Sequence, residues 1–175
     1  MSWIIDPSHS HIQFAARHMM ISKVRGQFDA FDVDLNFDEE NLANTAVSAK
    51  IDAASINTKN KDRDNHLKSP DFLNAADYPE LIFQSKRVEV NGGTDGYLIG
   101  DLTIRDITKE VKLKVDYTGQ AKNPFSGQIS AGFAARGAIN RKDFDLTWNQ
   151  ALETGGVLVG DEINIDIELE IIKQQ

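Results

Sequence analysis

A chain of 175 residues with 41% hydrophobic side chains suits one domain with a sizeable core, and no apolar run approaches the ~20 residues of a membrane-spanning helix. The net charge of −8 argues against a nucleic-acid partner, because phosphate binding depends on clustered Lys and Arg, and against permanent docking on anionic headgroups. The absence of cysteine excludes disulfides, thiolate catalysis and Cys-ligated zinc.

The opening Met1-Ser2-Trp3-Ile4-Ile5-Asp6-Pro7 lacks a basic leader and an apolar h-region, which sets the expectation of a cytoplasmic protein. Ser10, Ile12, Phe14, Ala16 and His18 then fall on one face of a first strand. Val24, Gly26 and Phe28 begin a second. Its phase slips before Phe31, Val33, Leu35 and Phe37, which predicts a β-bulge near Asp29-Ala30. Val47, Ala49, Ile51 and Ala53 make a third strand. From Thr58 to Pro79 the rhythm breaks. Thr58 is placed to cap a helix over Lys59–Lys68, followed by a short turn at Asp71–Ala76, together a lid across one mouth of the sheet.

Strands resume at Leu81–Val90, turn at Asn91–Gly96, and continue through Leu98–Ile104 and Val111–Tyr117. Ile129–Ile139 and Ile163–Ile171 complete the set. The expectation is an all-β, extended antiparallel β-barrel of about eight strands with a short helical insertion, one domain over residues 1–175.

The inward positions decide what such a barrel encloses. Ala16, Gly26, Ala49, Ala53, Gly100, Ala131, Ala135 and Gly137 are small, which admits either a tight taper or a long apolar tunnel. A dry tunnel accepts hydrocarbon, and each methylene taken from water is worth ~0.8 kcal/mol. A lipid drawn from a bilayer was already dry, so its transfer is nearly neutral, which suits a carrier.

The motifs coincide with a known family. Trp3–Ser10 with Phe14 and His18, Gly26-Gln27-Phe28, Ser55-Ile56-Asn57-Thr58, and the run Arg63–Phe72 followed by Tyr78-Pro79 resemble the YceI-like proteins. Phe83-Gln84-Ser85, Gly100–Ile104, Ile107-Thr108-Lys109 and Asn140–Phe144 extend the resemblance over essentially the whole chain. It implies a lipocalin-like barrel that binds a polyisoprenoid, an isoprenoid quinone or a fatty amide without covalent chemistry, frequently as a homodimer; no cofactor and a transient membrane contact are the accompanying expectations. The chain departs from the family at Asp106 and Asp145, which stand where glycine is expected.

On this reading the tail lies against Phe14, Phe28, Phe31, Ile51, Phe83, Leu102, Phe133 and Ile139. Leu67 and Phe72 close the lid, and His18 approaches the headgroup. The alternative is a lipid hydrolase or isomerase using His18 or the Arg63/Asp64/His66 cluster, in which Arg63 with Asp64 also reads as a salt bridge or cap holding the lid. His9 and His11, two apart on one strand, invite a metal, but no third ligand stands at a completing spacing, so no metal is expected. Trp148 fits a mouth or a dimer contact equally, and Arg141 with Asp143 reads as structural.

Overall fold

The computed structural model describes residues 2–175. Eleven strands form one antiparallel sheet: β1 (Trp3–Ile5), β2 (His11–His18), β3 (Ser22–Phe28), β4 (Phe31–Asn36), β5 (Ala46–Asp52), β6 (Ile56–Asn57), β7 (Glu80–Val90), β8 (Asp95–Ile104), β9 (Ile107–Lys122), β10 (Ile129–Asn140) and β11 (Val159–Lys173). The order across the sheet is β4-β5-β7-β8-β9-β10-β11-β2-β3-β6, with β1 on β11. The one α-helix among the described residues, α1 (Lys61–Lys68), lies between β6 and β7.

The two ends of this path meet. The chain runs from β3 into β4 through Asp29-Ala30, and from β5 into β6 through residues 53–55. Asp29 N donates to Ser55 O at 3.1 Å and Asp52 N to Ala30 O at 3.0 Å, so the curled sheet is tied to itself. The predicted phase slip is this break: Asp29 and Ala30 belong to neither strand. The count of about eight becomes eleven because two long strands are interrupted and three residues near the N-terminus add β1.

Alternation explains which residues face the lumen. On β11, Ile163, Ile165 and Ile167 pair in register with Ala16, Phe14 and Ile12 of β2, and cross-strand partners share a face. In a packed core those side chains would be shut off from water. Phe14, Val24, Ile163, Ile165 and Ile167 instead stay half-buried although they point inward. The bore is hollow.

Small residues do not produce that hollow in the way the sequence suggests. Ala16, Ala49 and Ala135 line it, but Gly26, Gly100, Gly137, Ala53 and Ala131 do not. A Cβ at Gly26 would lie within 3 Å of the Phe14 ring, one at Gly100 2.6 Å from the Phe83 ring and from the Gln84 carbonyl, and one at Gly137 2.6 Å from Leu113. Rings and a leucine cover these glycines, so the glycines serve packing. Gly100→Ala is expected to cost about 1–3 kcal/mol, read by denaturant midpoint, because backbone blocks the new methyl on one side; an unchanged midpoint would contradict this account.

The helix begins two residues later than predicted. Asn60, not Thr58, is its cap, with Oδ1 accepting from Arg63 N at 3.0 Å. Of the two glycine departures, Asp145 has φ 58, the left-handed region where glycine fits best, and beside Asp106 it is Arg105 that has positive φ, 54. The two loops are joined there, since Arg105 Nη2 donates to Asp145 O at 2.7 Å.

Candidate functional site

A cavity of about 700 Å³ runs through the curled sheet, within the range of small-molecule pockets, and its walls are overwhelmingly aliphatic and aromatic. One end is lined by Leu42, Thr45, Val90 and Asp95, the other by His18, Arg63, His66 and Trp148. Gly96 and Ile104 of β8 both border it and lie roughly 26 Å apart at ~3.3 Å per strand residue, so the cavity is elongated. A long bore of this chemistry suits a hydrocarbon chain and offers a polar ligand almost no hydrogen bonds.

Phe14, His18, Phe28, Ile51, Leu67, Phe72, Phe83, Leu102, Phe133 and Ile139 all border the bore. Phe31 does not. It opposes Ile51 at the first position of β4, beside the Asp29-Ala30 break, and packs into the main hydrophobic core. Periodicity placed Phe31 on the inner face without showing that the bore bypasses that corner. Arg17, Asn60 and Trp148 also line it, a set that alternation could not find because two are in loops and one sits on the outward phase.

The α1 end is the built end. His66 lies edge-on to Phe72 and Trp148, with ring centroids 5.0 and 4.5 Å away, and its Nε2 is 2.9 Å from Asp71 Oδ2. Trp148 therefore belongs to the mouth. Its loop is held by Arg141, which is 2% exposed. Nε donates to Gly160 O (2.9 Å), Nη1 to Leu146 O (2.6 Å) and Trp148 O (2.9 Å), and Nη2 to Val159 O (3.3 Å). Burial pushes the guanidinium pKa down, and nearby Asp161 partly offsets that.

The acid/base cluster does not assemble. Arg63 donates through Nε and Nη2 to Thr58 Oγ1 (2.8 Å) and Thr58 O (2.9 Å). Asp64 Oδ1 accepts from Thr58 N (2.8 Å) and Thr58 Oγ1 (2.5 Å). Both residues clasp buried Thr58 and so hold α1 to the sheet, while His66 turns to Asp71. The expected Arg63–Asp64 bridge is replaced by this shared partner.

Nor do His9 and His11 share a strand. Asp6 caps a turn over Pro7–His9, and β2 begins only at His11. His9 Nδ1 meets Asp6 Oδ2 at 2.9 Å, and Glu170 stands close by. Hydrogen bonds from Ser8 and then His9 hold the Asp6 carboxyl below its usual range, and Asp6 raises the His9 pKa. The His9 contribution is present below about 6.5 and fades as pH rises through its elevated value; the Asp6 contribution is present above about 4 and fades as pH falls through its depressed value. The turn is thus tightest between those limits. NMR titration is expected to place His9 above 6.5 and Asp6→Asn to bring it back; a wild-type value at or below 6.5 would refute the pairing.

Comparison with known proteins now identifies the architecture. The YceI-like domain matches residues 3–171. The chain belongs to the YceI-like family. A relative from Staphylococcus aureus strain N315, UPF0312 protein SA2479, is 40% identical over 169 residues, covering 97% of this chain and 96% of its own. The Campylobacter jejuni YceI protein superposes with a TM-score of 0.77 at 34% identity, covering 91% of this chain and 90% of that one. A polyisoprenoid-binding domain from Saccharophagus degradans shares the YceI-like fold with a TM-score of 0.68 at 12% identity, covering 98% of both chains.

Proposed function

We propose that this protein binds and carries one long-chain apolar lipid, an isoprenoid or isoprenoid quinone, non-covalently in its bore. The observation that carries the reading is the continuous, elongated apolar cavity of about 700 Å³. The tail lies along the inner faces of the strands, and the headgroup meets the polar end formed by His18, Arg63 and His66. Ten methylenes moved from water would gain about 8 kcal/mol before binding costs. The Saccharophagus degradans domain, which shares this fold and binds polyisoprenoid, supports the ligand class.

The role is that of a binder and not an enzyme. Arg63 and Asp64 are both engaged by Thr58 and His66 by Asp71, so no relay links them across the bore. Solvent extraction of the purified protein followed by mass spectrometry is expected to release an unmodified isoprenoid lipid, and added quinone is expected to bind. No extracted lipid and no quinone uptake together would overturn the reading.

A further inference from the structure

The hairpin between β2 and β3 breaks two rules at once. Ile21 N donates to His18 O at 3.2 Å, and the residues inside this turn, Met19 and Met20, have φ of 52 and 64. That left-handed pair is the geometry for which Asn-Gly is preferred, so two methionines are strained there. They are also in water, with Met20 59% and Ile21 80% exposed, and Val157 of the neighbouring loop is exposed beside them. Met19 N donates to Leu158 O at 2.8 Å and ties the tip to that loop. A strained and solvated apolar tip is retained against the preferences of a soluble turn.

Its surroundings are cationic. Arg17 pairs in register with Lys23, and Arg25, opposite Ala15, lies on the same outer face. All three are exposed, and none enters an ion pair among the described residues. The acidic neighbours are Asp161, already matched by Lys142 at 3.3 Å and Arg141 at 3.8 Å, Glu162 and Asp166 on the outer face of adjacent β11, and Glu153 in the adjoining loop, while Arg136 on β10 pairs in register with Asp166. On a chain of net charge −8 this is a local reversal of sign. The tip also adjoins the rim of the bore, since Arg17, His18 and Leu158 beside it line the cavity.

We propose that Met19, Met20 and Ile21, collared by Arg17, Lys23 and Arg25, dock the mouth of the bore onto an anionic lipid bilayer. The proposal rests on the lipid-carrier reading. A projecting wedge of three apolar side chains, two of them flexible methionines, is far too small for a stable protein interface but is sized to enter the boundary between headgroups and acyl chains. The collar supplies attraction to anionic headgroups, and the overall negative charge makes the contact brief and sensitive to salt.

Flotation of the full chain with vesicles tests this, using phosphatidylcholine alone or mixed with phosphatidylglycerol. The wild type is expected to float with the mixed vesicles and to be released by salt. The triple variant Met19→Asn, Met20→Gly, Ile21→Ser installs preferred turn residues, so it is expected to keep or raise the melting temperature while vesicle binding falls roughly tenfold. Arg17→Glu with Lys23→Glu is expected to remove the preference for phosphatidylglycerol. Wild type that ignores the mixed vesicles, or a tip variant that floats equally well, overturns the proposal. So does a tip variant that only converts a dimer to a monomer in sedimentation, because the tip would then face a second copy. Uptake of quinone added from solution, followed in parallel, reports on the bore alone, so failure of the carrier reading is distinguishable from failure of the dock.

Discussion

Replacing Arg141 with methionine is expected to lower the melting temperature by on the order of 10 °C. The guanidinium is buried and spans four backbone carbonyls, those of Leu146, Trp148, Val159 and Gly160. Removing it strands the carbonyls of Leu146, Trp148 and Gly160, at about 1–3 kcal/mol each if none finds another partner and about 3–5 kcal/mol in all after relaxation, while Val159 O keeps Asn149 Nδ2 at 2.7 Å. Arg141→Lys is expected to recover little, because one ammonium on a flexible stem cannot span the planar fork's partners. Beyond stability, Trp148 should lose its fixed place against His66 and Phe72, seen as a red-shifted fluorescence maximum. A methionine variant that melts within a degree or two of wild type would show that the loop is held by other contacts, such as Asn149, whose Nδ2 donates to Val159 O and whose Oδ1 accepts from Val159 N.

Ala135→Phe is expected to separate folding from cargo. Ala135 lies on β10 opposite Val115 and Ile167 and borders the bore. A benzyl group there enters empty space instead of packed neighbours, so stability should change by less than about 1.5 kcal/mol. Lipid recovered by extraction should nonetheless fall at least tenfold, since the ring occupies the path of the tail. Equal lipid content in the variant and wild type, measured by mass spectrometry on matched protein, would place the ligand elsewhere.

The strands were legible because one face is wet and the other dry, and a period of two survives even where a bulge shifts it, as at Asp29-Ala30. The family motifs were equally plain. The site was legible only to the extent that inward phase equals lining, which holds for Phe14 or Phe133 and fails for Phe31, whose corner the bore passes by. Gly100 shows the deeper limit: a small inward residue reads the same whether it opens a void or receives the ring of Phe83, and only the positions of neighbouring strands tell the two apart. The turn at Asp6–His9 was legible in principle, since an aspartate before a proline is a capping signature, but the alternation of His9 with His11 masked it. Arg141 reads as structural from its turn, but the extent of its grip is not legible, because Val159 and Gly160 are eighteen and nineteen positions away along the chain.

The half-shielded aliphatics on the inner wall carry a consequence for turnover. An empty molecule leaves oily surface uncovered, whereas a filled one hides it, and a passenger that binds only the folded form raises stability by mass action. Vacant copies would then open more readily to proteases than loaded ones. Supply of the passenger would itself regulate how long each molecule survives.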